Sequence, residues 1–412
     1  MFFIIALPSD FCDNHLMDRR IILHVDQNCF FASVGMIYHP EYRNVPMAVA
    51  GDTNARHGII LAKNQPASEY GIKTAEVIWQ AKAKCPDLVL LPPEYDKYEL
   101  YSQKLKYMYT EYTDRVEPFG LDECWLDMTG ILRDMDDAEE FAGEIRRRVR
   151  EEFKLTCSVG VSFNKCFAKL GSDYKKPDAT TVIPEDRYKD IVWPLPVSDL
   201  LFAGKSTVRN LSKINVNTIG DLALLDKDYT AEFLGKSGIL LWEYANGIDD
   251  SPVAEISHKR DIKSIGNSTT PPQDMKSVTD VRSVLLHLAD KVAQRLRRHK
   301  LKCTVIQIHV RDSDLHIYEH QKVLFEPADV MKKIYDTACE LFEESYDWKR
   351  SVRSVGIRCS GVVSSDEGEQ ISFFTDLDRR QKDERLSRAL DDINRRFGKG
   401  TVKSLGENYR KS

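Results

Sequence analysis

A chain of 412 residues with 42% hydrophobic and 30% charged positions has ordinary globular composition, which excludes a disordered or fibrous protein and is too long for a single core. No apolar stretch approaches the roughly 18 residues of a transmembrane helix, which argues against a membrane span. The net charge of −5 excludes a uniformly basic nucleic-acid coat but leaves room for local basic surfaces.

Met1 to Leu7 is apolar but lacks a basic flank and is short for a signal peptide. The nine cysteines are singletons without a C-x-x-C pair, a pattern suited to the reducing cytoplasm. The first informative segment is Ile21-Ile22-Leu23-His24-Val25-Asp26-Gln27-Asn28-Cys29-Phe30-Phe31. Its apolar half reads as a strand buried on both faces, with Asp26 at the end. About a hundred residues on, Glu117-Pro118-Phe119-Gly120-Leu121-Asp122-Glu123-Cys124-Trp125-Leu126-Asp127 repeats the arrangement. Carboxylates near a core are costly without a cation, so Asp26, Asp122 and Glu123 read as oxygen ligands converging on a hard metal. Magnesium fits best, because it needs only one or two carboxylates beside substrate phosphates. Taken singly, either run could equally end in solvated acids.

Between the two runs lies a small insertion closed by Pro92-Pro93. After them, Phe141, Ile145 and Val149 place a helix over Asp137 to Phe153, followed by a strand over Thr156 to Val161. A Pro-rich entry, Trp193-Pro194-Leu195-Pro196, opens a stretch that looks helical to residue 250, and a loop-like tract runs from Asp249 to Lys263. Beyond it, Val281, Val284, Leu285, Leu288 and Val292 keep helical spacing, whereas Thr304, Ile306, Ile308 and Val310 alternate as in a half-buried strand. This is the pattern of an α+β module. Lys291, Arg295, Arg297, Arg298, Lys300 and Lys302 form a basic cluster that, taken alone, reads as a solvated helix face. His316 and His320 lie four apart in a segment that reads as strand or turn, not as a metal site.

The two acidic runs resemble the catalytic motifs of the Y-family DNA polymerases of the DinB/UmuC type. Further matches follow in order: Ser158-Val159-Gly160-Val161-Ser162-Phe163-Asn164-Lys165-Cys166-Phe167-Ala168-Lys169-Leu170, Asp173-Tyr174-Lys175-Lys176-Pro177 and Asn217-Thr218-Ile219-Gly220-Asp221-Leu222. The similarity runs from about Arg20 into the 370s. It implies a multidomain α/β and α+β right-hand polymerase: ferredoxin-like palm (18–30 and 95–184), small fingers (31–94), helical thumb with a helix-hairpin-helix (185–250), linker (251–264) and α+β little finger (265–365). Residues 1–17 then read as an N-terminal appendage and 366–412 as a C-terminal tail.

The implied activity is template-directed, low-fidelity translesion DNA synthesis with two magnesium ions per site, working on primer-template DNA and deoxynucleoside triphosphates. By resemblance, Asp26, Asp122 and Glu123 are catalytic and, with the Gln27 carbonyl, hold the metals. Phe31 packs under the incoming sugar with Phe30 as its core-facing neighbour, and Lys176 contacts the triphosphate. Lys165 and Lys169 read as solvated helix positions. Where the family carries a tyrosine and an arginine on the triphosphate, this chain has Gln65 and Ser68, and Lys63 or Lys73 could restore charge but not that geometry. Asn28 and Gly120 replace a commoner acid and serine. In the thumb hairpin Phe202-Ala203-Gly204-Lys205, only Gly204 remains of two glycines; with Lys205 it forms the expected DNA-phosphate contact, joined by Arg295, Arg297, Arg298 and Lys302 of the little finger. Gln370-Ile371-Ser372-Phe373-Phe374 resembles the peptide by which such polymerases bind the sliding clamp, a final strand being the alternative. Two other readings are a catalytically silent DNA-binding accessory and a nucleotidyl cyclase, which would leave residues 185–380 unexplained.

Overall fold

Strand β1 (Ile22–Gln27) is buried at all six positions, the apolar Ile22, Leu23 and Val25 together with His24, Asp26 and Gln27. In this computed structural model, which describes residues 19–51, 58–258, 261–366, 377–398 and 401–402, it leads into α1 (Phe30–Tyr38). Next come β2 (Met47–Ala50), β3 (Ile60–Lys63), α2 (Gln65–Glu69), α3 (Ile78–Lys84), β4 (Val89–Leu91) and α4 (Tyr95–Tyr109). The chain then forms β5 (Val116–Pro118), β6 (Glu123–Asp127), α5 (Met135–Phe153), β7 (Cys157–Ser162), α6 (Lys165–Tyr174) and β8 (Thr180–Ile183). Strand order in the main sheet is β5-β6-β1-β7-β8, and β2 pairs with β3 and β4 in a separate three-stranded sheet.

Strand β1 is central and antiparallel to both neighbours, with Asp26 opposite Glu123 on one side and Ser158 on the other. The helical tract follows as α7 (Tyr188–Val192), α8 (Lys205–Ser212), α9 (Ile219–Ala223), α10 (Lys227–Leu234) and α11 (Lys236–Ala245). Its apolar side chains share a core with Phe167 and Leu170 of α6. Residues after Asp249, expected as a free linker, are fastened to the same unit. Arg20 donates to the Asp249 and Ser251 carbonyls, and Ile256 N–H donates to the Asp114 carbonyl.

The chain divides into two compact units, with the break after His258. In the second, β9 (Ser264–Thr269), α12 (Val278–Arg298), β10 (Leu301–Asp312), β11 (Ile317–Ala328), α13 (Met331–Ser345), β12 (Val352–Ser364) and α14 (Leu377–Phe397) form an α+β module. Its sheet runs β11-β10-β12-β9, and α12 and α13 bury their apolar stripes with it. A reciprocal Ser277–Asp280 capping box starts α12. Among the described residues no helix is long and apolar enough to cross a membrane. Residues 1–17 and the candidate clamp peptide 370–374 lie outside the described residues.

One close approach positions the site. Gly160 of β7 lies so near α6 that an added Cβ would stand 1.9 Å from the Ala168 carbonyl oxygen and 2.4 Å from Ser172 N. Both obstacles are backbone, so neither can swing aside. Gly160→Ala should therefore cost upward of about 4 kcal/mol, the range reached by severe core disruptions. Denaturant unfolding that gives a loss under about 1 kcal/mol would show that α6 can retreat.

Candidate active site

The end of β1 and the start of β6 bring the acids together. Asp26 and Glu123 are register partners, and Gln27 N–H donates to the Asp122 carbonyl at 3.1 Å, closing the strand pair past its last rung. Asp26 is buried, whereas Asp122 and Glu123 are half-buried. The Gln27 side chain turns away, donating to Tyr109 Oη in the core, so only its main chain faces the acids.

Helix α6 delivers the opposite charge. Asn164 caps its N-terminus by accepting from Phe167 N–H, and the helix lays Lys165, Lys169 and Asp173 along one face. Lys169 Nζ contacts Glu123 and stands 3.8 Å from Asp26 Oδ2. Lys176, just beyond the helix, lies 2.7 Å from Asp26 Oδ2 and 2.6 Å from Asp173 Oδ1. Lys165 pairs with Glu117 at 2.6 Å, and its carbonyl accepts from Trp125 Nε1–H. Lys165 and Lys169 are thus largely enclosed and paired, not solvated. The sign that could have exposed them is their four-residue spacing with Asp173, one charged stripe on a helix whose remaining face is apolar.

His24 and Ser172 were also missed. The His24 ring is fully buried, with Nδ1 2.8 Å from Ser172 Oγ and Nε2 3.2 Å from Glu123 Oε2. A lone histidine inside Ile-Ile-Leu-His-Val was the available signal. Burial holds it down to about 4, so the ring is neutral at pH 7.

The loop carrying Lys176 is fixed from two sides. Asn28 accepts from Asp178 N–H at 2.8 Å and donates to Ser158 Oγ at 2.9 Å, while Arg146 and Arg150 of α5 pair with the Asp178 carboxylate. An amide serves both contacts at Asn28, which accounts physically for the absence of an acid there. Gly120 has φ of +89°, a conformation that a serine would strain.

A cavity of about 480 Å³ opens on these groups, lined by Asp26, Asp122, Glu123, Gln27, Phe30, Phe31, Lys63, Gln65 and Lys176 among others. The Phe31 ring stacks on Tyr98 with centroids 4.1 Å apart, and Phe30 is buried in the core beside it. Gln65 lines the cavity but Ser68, one turn further along α2, does not.

The expected DNA contacts divide. Gly204 and Lys205 are exposed at the start of α8, next to Phe202 in the left-handed region with φ of +69°. In the second unit Arg298 is exposed, and Arg295, also exposed, donates to the Gly266 carbonyl. Arg297 and Lys302 instead turn inward, where they pair with Asp391 and Glu384 of α14. The basic run carried no hint of acids more than 80 residues downstream.

The acids are under-compensated. Burial pushes the Asp26 carboxyl up to about 7 against the pull of Lys176, and the charge of Glu123 adds to the rise. Burial, then Glu123, pushes Asp122 up as well. Burial also pushes on Glu123, but the His24 and Lys169 groups beside it outweigh that and hold it down, at about 2. Such a set of hard oxygen donors fits a divalent cation completed by substrate oxygens. Among the described residues no three ligating side chains converge into a ready-made cage.

Residues 25–173 match the model of the impB/mucB/samB family, and residues 262–373 that of the impB/mucB/samB family C-terminal domain. DNA polymerase IV of Acetivibrio thermocellus is 46% identical over 385 residues, spanning 93% of this chain and 96% of that protein. DNA polymerase IV 1 of Bacillus subtilis is 36% identical over 380 residues, spanning 92% and 91%. A solved Y-family DNA polymerase chimera superimposes with a TM-score of 0.75 at 23% identity, covering 84% of this chain and 99% of its own. Fold and relatives together define a DNA-directed DNA polymerase. The chain belongs to the impB/mucB/samB family, the Y-family polymerases of DinB/UmuC type.

A raised carboxyl makes stability fall as pH rises. Between about 4 and about 7 folded Asp26 keeps a proton that the unfolded chain releases, so ionisation costs the folded state stability across that window. In chelator, Asp26→Asn should melt above the parent by a larger margin at pH 8 than at pH 5, and level with it only near pH 3. Equal melting at both pH values would mean that Lys176 fully compensates the charge.

Proposed function

We propose that this polymerase extends primer 3′-hydroxyls with deoxynucleotides on damaged as well as intact templates, using two magnesium ions. The observation that carries this reading is Asp26 directly across from Glu123, with Asp122 fastened beside them, at the mouth of a cavity lined by Phe31, Lys63 and Lys176. Asp26, Asp122, Glu123 and the Gln27 carbonyl would hold the ions, which when bound stabilise charge on the entering and leaving oxygens. Phe31, braced by Tyr98, forms a wall against which a ribose 2′-hydroxyl would collide. Lys63 and Lys176 supply point charges for triphosphate oxygens, in place of the fork-shaped contact of an arginine. Low fidelity follows from fingers built on a sheet of only three short strands, which leave the base pair loosely enclosed.

The domain boundaries of the resemblance are adopted with one change, the anchoring of residues 249–256 to the first unit. Gly204, Lys205, Arg295 and Arg298 remain candidates for primer-template contact. Gln370, Ile371, Phe373 and Phe374 are assigned to the sliding clamp on their sequence pattern alone. A cytoplasmic location rests on the scattered cysteines.

Asp122→Ala should abolish extension while primer-template affinity changes less than about threefold, because the acids serve chemistry and the basic surfaces serve DNA. Substantial extension by this variant would contradict the metal assignment. Phe31→Ala should raise ribonucleotide incorporation relative to deoxyribonucleotide by about tenfold or more, a barrier change of about 1.4 kcal/mol. If selectivity holds and only the melting temperature drops, Phe31 is merely part of the core.

A further inference from the structure

Lys169 is not a surface lysine. Its side chain is only 15% exposed, its ammonium contacts Glu123 and lies 3.8 Å from Asp26 Oδ2, and it stands 5.6 Å from the Phe119 ring centre. Ser172, one turn on, donates to the Lys169 carbonyl and touches His24, so the same helical turn braces both Lys169 and the ring beside Glu123. The tight packing at Gly160 leaves this turn little freedom to shift. Lys176 is more exposed, at 33%, and divides its charge between Asp26 and Asp173.

A cation between two acids does electrostatically what a bound metal would do. It draws them side by side, and it repels a second cation arriving at the same oxygens. We propose that Lys169 is an internal substitute for the divalent ion: it keeps Glu123 and Asp26 in place in the metal-free enzyme, competes with the ion for Glu123, and so sets the metal concentration at which the site assembles. The idea rests on the two-metal reading of the acids. Lys169 is a positioning residue in this account, acting through Glu123.

The test is manganese binding to the full chain without DNA or nucleotide, read from the electron paramagnetic resonance signal of free Mn²⁺, together with melting in chelator. Lys169→Gln should bind Mn²⁺ at least tenfold more tightly than the parent, and should melt lower than the parent when metal is removed. Lys169→Arg, which keeps the charge, should stay within threefold of the parent, and this comparison holds even if the glutamine variant fails to fold. Unchanged or weaker binding by Lys169→Gln overturns the proposal, as does tightening by Lys169→Arg. Asp26→Ala separates the two ideas: it should abolish the binding, and parent-like binding there would show that the metal reading itself has failed.

Discussion

Carboxylates gathered at one end of a buried sheet repel one another and resist desolvation, and the first unit is arranged around that cost. Strand register makes the conflict unavoidable, since Asp26 and Glu123 face each other across β1 and β6. Among the described residues, the ammonium groups that pair with Asp26 and Glu123 come from α6 and the loop after it. Lys169 serves Glu123 and Lys176 serves Asp26, yet Asp26 and Asp122 both remain shifted upward by burial. Buried negative charge left partly uncompensated in this way suits a hard cation completed by substrate oxygens.

Sequence detail elsewhere follows from the same need. Gly160 lets α6 approach β7 closely, and the approach is what brings Lys169 within reach of acids on two other strands. Asn28, Arg146 and Arg150 hold the loop of Lys176 from opposite sides. A change at Gly160, Arg146 or Arg150, none of which lines the cavity, would act on the acids indirectly.

The acids were legible in the sequence because a strand ending in a carboxylate is a local pattern, visible in eleven residues. So were α5, α12 and β10, whose apolar spacing declares one face. Lys169 was not, since periodicity tells which helix face is apolar but not what its charged edge meets. The pairing of Arg297 and Lys302 with α14 was hidden for a related reason: a basic run looks the same whether it awaits DNA or pairs with a later helix. Ser68 shows the limit of motif matching, as the aligned position does not line the cavity that Gln65 lines.

The most direct test of the central claim is template-directed extension by the parent chain on a defined primer-template, one deoxynucleotide at a time, with magnesium and then with chelator. The account predicts addition of the complementary nucleotide in magnesium and none in chelator. Tight primer-template binding with no addition at any magnesium or manganese concentration would contradict it, leaving a DNA-binding accessory built on a polymerase fold.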